Sequence, residues 1–92
     1  MNTEVSKENY ISAMILKGIG GEKNLVDIDA CATRLRLTVV DSLVIDDQLL
    51  KDTGAKGIIK KGTGVQIIYG PHVSIIKSDF EEYVQTLSHE KA

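Results

Sequence analysis

The sequence predicts an α+β domain: a four-stranded antiparallel sheet made of two hairpins, with three helices packed on one face, in the order helix-strand-strand-helix-strand-strand-helix. Three observations predict it. Residues 25–30 and 33–40 both alternate apolar with polar side chains, and only two residues separate them, too few for a parallel crossover. A second pair of β-rich stretches, 57–60 and 65–69, flanks the turn-forming Lys61-Gly62-Thr63-Gly64. Apolar residues at helical spacing come before, between and after the two pairs. An antiparallel sheet covered on one side leaves its other face open to a partner.

Each element has its own signal. Ile11, Met14 and Ile15 share one face of a helix expected from Ser6 to Lys17, which Gly18 stops, with Ile19 as the apolar contact beyond it. In the strand Leu25–Ala30, Val26, Ile28 and Ala30 point one way, and Leu25, Asp27 and Asp29 the other. In the strand Thr33–Val40, Leu35, Leu37 and Val39 form the core side, so Arg34, Arg36 and Thr38 lie together on the open face. Asp41-Ser42 breaks the pattern, and Leu43 to Ile45 is expected to return toward the core. Asp46 reads as the N-cap of a short helix through Leu49 and Leu50, ended by Gly54. Gly70-Pro71 opens the last helix, with Pro at its first position. Val73, Ile76, Phe80, Tyr83, Val84 and Leu87 then line one face, while Lys77, Asp79, Glu81, Glu82 and Gln85 meet water.

Bulk properties narrow the function. Ninety-two residues make one domain, 1–92, whose modest core cannot enclose a deep substrate cavity. A net charge of -2 and 4% aromatic residues without Trp argue against a nucleic-acid surface. One cysteine forms no internal disulfide, which fits a reducing compartment such as the cytoplasm. The first ten residues are too polar for a signal peptide, and no stretch is apolar for long enough to span a bilayer. Contact with a membrane is therefore expected only through a partner.

Candidate chemistry gathers at Cys31. It falls in the turn between the first two strands, between small Ala30 and Ala32 and ahead of Thr33, Arg34 and Arg36. By default a lone Cys is a small buried hydrophobe, and two strand arginines are a solvated face. A turn exposes the thiol, however, and nearby cations favour the nucleophilic thiolate. Two guanidinium groups on one face suit phosphate oxygens, and Thr33 adds a hydroxyl and an N–H to an anion-binding turn. Asp27 and Asp29 would oppose thiolate formation, unless Asp29 is engaged in holding the turn itself. This is a plausible seat for a covalently held phosphoryl dianion.

Other chemistries fit less well. A cysteine phosphatase needs Arg six residues after Cys, where this chain has Leu37. Neither His72 nor His89 has a fixed relation to Cys31 that would make a protease pair, and one Cys with two distant His makes no zinc site. Gly18-Ile19-Gly20-Gly21 follows a helix and has Lys23 where a dinucleotide loop needs Gly, and Lys61–Gly64 lacks phosphate-loop spacing. Asp46-Asp47 and Glu81-Glu82 read as a cap and a solvated face. No metal or cofactor is expected.

Ile28-Asp29-Ala30-Cys31-Ala32-Thr33-Arg34-Leu35-Arg36 resembles the phosphorylation-site signature of the enzyme IIB domain of the glucose-type sugar phosphotransferase system. The resemblance extends through Gly20-Gly21, Gly54-Ala55-Lys56-Gly57 and Val65-Gln66-Ile67-Ile68-Tyr69-Gly70, covering nearly the whole chain. It implies the same fold, and it implies that Cys31 takes a phosphoryl group from a phosphohistidine of enzyme IIA. Cys31 would then pass the group to a sugar bound in the membrane-embedded IIC permease, with Thr33, Arg34 and Arg36 binding phosphate or assisting transfer and Asp29, Ala30 and Ala32 shaping the turn. The implied location is the cytoplasm, free or tethered to the membrane's inner face through IIC. Glucose, N-acetylglucosamine, glucosamine and glucosides are all compatible, with the first two favoured. The alternative is a noncatalytic regulatory module that binds an anionic partner through the Arg34/Arg36 face.

Overall fold

The computed structural model describes residues 7–91, with side chains described for 10–87. Its elements run α1 (Lys7–Gly18), β1 (Leu25–Ala30), β2 (Arg34–Val39), α2 (Asp47–Asp52), β3 (Gly57–Lys61), β4 (Gly64–Ile68) and α3 (Val73–Lys91). The strands form one antiparallel sheet in the order β1-β2-β4-β3. Each hairpin thus supplies one central and one edge strand. The three helices cover one face, α3 lying against β1 and β2, α2 beside β3, and α1 against α2 and α3.

The sheet's two faces follow from period-two alternation. Leu35, Leu37 and Val39 of β2 and Val65 and Ile67 of β4 are buried beneath the helices with Ile15, Leu50 and Phe80. The same strands turn Arg34, Arg36, Thr38 and Gln66 to the open face. Between β3 and β4 the chain turns in two residues, with Gly62 at φ 61, the left-handed conformation a tight hairpin requires at its first turn position. The Asp46 carboxylate caps α2 by accepting from the Leu49 N–H, and Gly54, at φ 102, leads the chain out after Thr53.

Three expectations need correction. Val26 was placed with the core-facing set of β1 but is 60% exposed, because a bulge between Leu25 and Asp27 shifts the register there. Leu25 instead packs against the core, and Ile28 and Ala30 do so as expected. Leu43 and Val44 do not return to the core: they are 91% and 51% exposed in a single 3-10 turn, and only Ile45 packs inward. Pro71 precedes α3 by two residues, in a turn closed by the Val73 N–H donating to Gly70 O. Ser6, the expected start of α1, lies outside the described residues.

Behind the α1–β1 connection stands a polar staple that carries no periodic signal. Asn24 is buried; its Nδ2 donates to the carbonyls of Ile19 (2.6 Å) and Asp41 (3.0 Å), and its Oδ1 accepts from the Asp41 N–H (2.8 Å). It ties the exits of α1 and β2 together at the end of the sheet opposite the β1–β2 turn. Gly20 is required beside it: at φ 98, a Cβ there would lie 2.7 Å from Val44 Cγ2 and 3.0 Å from Asn24 Nδ2.

Candidate functional site

The β1–β2 turn is built by its flanking strands. Ala30 pairs with Leu35, and the Cys31 N–H donates to Arg34 O at 3.0 Å, closing a bend that leaves Cys31, Ala32 and Thr33 exposed. The turn is also tied from below. Thr33 O accepts from the N–H groups of Tyr69 (2.9 Å) and Gly70 (3.0 Å), which fixes it to the segment leaving β4. Tyr69 is itself buried, its hydroxyl sharing a hydrogen bond with Thr53 Oγ1, and burial raises its phenol pKa. The exposed turn therefore stands on a rigid base.

The Cys31 thiol is free and exposed, and its pKa is lowered. Hydrogen bonding from the Thr33 backbone N–H is the largest cause; partial loss of hydration works against it, while the Arg34 N–H and then the charges of Arg36 and Arg34 add to it. The arginine charges contribute in the expected direction, but the turn's own N–H groups lead. Successive N–H groups in such a turn can form a small anion cradle, able to receive a thiolate or the oxygens of a group attached to it.

Arg34 and Arg36 both lie on the open face, as the alternation requires, but they are held differently. Arg34 is half-buried and donates from Nη1 to Oε1 of Gln66 at 2.8 Å. Arg36 is exposed and stands between Asp29 on β1 and Gln66 on β4, its register partners. Asp29 Oδ1 accepts from the Ala30 N–H at 2.8 Å, so this carboxylate does engage the backbone at the turn's approach. A shallow hollow of about 230 Å³ runs over this face between Asp27, Asp29, Arg36, Thr38 and Gln66. Among the described residues, no group of three or more His, Cys, Asp or Glu is placed to hold a metal ion.

Sequence reading gives Gln66, Lys56 and His72 no role at this site: the first two stand only within stretches of family resemblance, and His72 only as a rejected protease partner. Gln66 bonds Arg34, and the side chains of Lys56 and His72 both approach Gly70, whose N–H donates to the Thr33 carbonyl. The open-face phase of Gln66 on β4, across from Arg36, is a signal that could find it; Lys56 and His72 come near the turn through tertiary structure.

Comparison with known proteins gives this turn a context. Residues 13–46, which include it, match the family described as phosphotransferase system, EIIB. The chain is 46% identical over 87 residues to the PTS system N-acetylglucosamine-specific EIICB component of Bacillus subtilis (strain 168), covering 89% of this chain and 19% of that protein. It is 38% identical to phosphotransferase enzyme IIB component GlvB of Escherichia coli (strain K12), over 97% of this chain and 55% of GlvB. A solved structure, one domain of the PTS system IIabc component from Clostridium difficile, superposes with a TM-score of 0.71 at 32% identity, covering 91% of this chain and 85% of that one. The chain belongs to the glucose-type PTS enzyme IIB family. The helix-covered antiparallel sheet described above is the fold it shares with that solved PTS domain. The chain spans only about a fifth to a half of the length of these curated relatives.

Proposed function

We propose that residues 1–92 form a single phosphoryl-carrying IIB domain, in which Cys31 takes a phosphoryl group from a phosphohistidine of enzyme IIA and delivers it to a sugar bound in a IIC permease. The observation that carries this reading is the free, exposed Cys31 thiol in the β1–β2 turn, directly ahead of Arg34 and Arg36 on the open face of β2. In the first step the thiolate attacks phosphorus, an S–P bond forms, the N–P bond breaks, and its electron pair stays on the donor imidazole, which takes up a proton. In the second, a sugar hydroxyl oxygen attacks the same phosphorus, the S–P bond breaks, and thiolate leaves while the hydroxyl proton passes to solvent. Splitting one transfer into two gives the sulfur its role as relay atom.

The arginines serve the dianion. A phosphoryl group on sulfur carries close to two negative charges, by analogy with phosphoserine. Arg34 and Arg36 provide planar donor forks on the face beside it, and assist most if their contacts strengthen as phosphorus changes partner. Thr33 and the small Ala30 and Ala32 keep the turn narrow, so two partners can reach one sulfur in succession.

Relatives named EIICB and EIICBA support IIC and IIA as those partners, and relatives specific for N-acetylglucosamine and glucose favour those sugars. No helix among the described residues is long and apolar enough to cross a membrane. The domain acts on the cytoplasmic side, with its membrane contact made through the permease. Intact-mass measurement after incubation with phosphoenolpyruvate and the general phosphoryl carriers tests the reading. The expected result is one added phosphoryl group per chain, lost in Cys31→Ser. A Cys31→Ser chain that accepts phosphate as well as the parent overturns it; one that functions unchanged while Arg34→Ala does not would mark a binding module instead.

A further inference from the structure

On the side of the Cys31 turn away from β1, two polar side chains approach the same glycine. A Cβ placed on Gly70 would lie 3.6 and 3.7 Å from Cε1 and Nδ1 of His72 and 3.8 Å from Nζ of Lys56. Gly70 has none, and its N–H is bound to Thr33 O at 3.0 Å, within the same turn that carries Cys31. The Lys56 backbone is fixed by its N–H donating to Ile68 O at 2.7 Å, and the His72 ring stands edge-on to Tyr69 with centroids 6.4 Å apart. Both side chains are exposed, and neither forms an ion pair among the described residues.

The surroundings of Cys31 are therefore lopsided. Along β1 stand the carboxylates of Asp27 and Asp29; on β2, just before β3 and just before α3 stand Arg34 and Arg36, Lys56, and His72 respectively. The chain's net charge is -2, so no global field draws in an anionic partner, and attraction has to be local. A phosphoryl dianion arriving on a partner's imidazole is repelled from the β1 side and drawn to the other. We propose that Lys56 and His72 form the landing rim for the phosphoryl donor, receiving anionic groups around its phosphohistidine and bringing it onto Cys31 from the α3 side. Lys56 supplies a point charge, and His72 offers a ring N–H whichever tautomer it holds. The rim rests on the relay reading above. Exposed rim charges govern encounter more than bond making, so their mark falls on the concentration dependence of loading.

The test measures the rate of Cys31 phosphorylation against the concentration of phosphorylated enzyme IIA. It compares the unaltered chain, Lys56→Gln, His72→Gln, the double variant and Lys17→Gln, which removes one charge from an exposed position on α1. The double variant is expected to raise KM by about threefold to tenfold, with the maximal rate unchanged and the gap narrowing in high salt; Lys17→Gln leaves KM where it was. A double variant with the parent's KM overturns the rim, as does a rise matched by Lys17→Gln. A fall in maximal rate at unchanged KM overturns it too, by moving the pair to the bond-making step. Failure of the unaltered chain to take any phosphoryl group overturns the relay reading instead.

Discussion

Arg34 donates from Nη1 to Oε1 of Gln66, 2.8 Å away on the neighbouring strand, and Gln66 faces Arg36 directly in register. A neutral amide thus orients one guanidinium without cancelling its charge, which a carboxylate at the same place would do. Gln66→Glu should leave loading of Cys31 largely intact and slow discharge to sugar by about tenfold. Gln66→Ala should be milder in discharge and cost about 1 kcal/mol of stability, the ordinary worth of such a bond. Rapid-quench measurement of the two half-reactions separates these outcomes, and equal discharge rates for Gln66→Glu and the parent would contradict the argument.

Thiol ionisation gives a pH signature. Because hydrogen bonding from the Thr33 N–H, the Arg34 N–H and the two arginine charges lower the Cys31 pKa, alkylation by iodoacetamide should reach half its limiting rate below the usual thiol value of 9.0. Arg36→Gln should move that midpoint upward by part of the shift only, since the backbone donors remain. The linkage to stability has a definite sign: the folded thiol is the more acidic. Ionisation therefore stabilises the fold fully only above the unfolded pKa, and this contribution is lost as pH falls through the folded one. A midpoint at or above that of an unfolded peptide would contradict the N–H cradle.

Asn24 should matter to the fold and not to the chemistry. Asn24→Ala leaves Ile19 O, Asp41 O and the Asp41 N–H without the partner they share, at a cost of about 3 kcal/mol. Urea denaturation should show a lower midpoint at unchanged slope. Loading of Cys31 in the folded fraction should match the parent, because the staple lies at the opposite end of the sheet. A loss of loading without a loss of stability would contradict this.

These contrasts show what a linear sequence discloses. β2 was legible face by face because Leu35, Leu37 and Val39 alternate with Arg34, Arg36 and Thr38 without interruption. β1 was legible as a strand but not in its phase at Val26, since one bulge flips a side chain without altering composition. Leu43 and Val44 misled because hydrophobicity alone argues for burial, while the 3-10 turn that the Asp41 carboxylate caps holds them outward. At the site, Cys31, Arg34 and Arg36 are neighbours in the chain and could be grouped directly. Gln66, Lys56 and His72 reach that end of the sheet only through the β2–β4 and β3–β4 pairings and the start of α3. The dominance of the Thr33 N–H over the guanidinium charges depends on turn geometry, which residue types do not record.

The relay is tested most directly by a chase. Cys31 is loaded with a labelled phosphoryl group, separated from the donor, and mixed with N-acetylglucosamine or glucose and membranes bearing the permease. The account predicts that label leaves Cys31 at the rate at which it appears on sugar, one for one. Label that stays on Cys31 while the sugar is phosphorylated from freshly added donor would contradict it.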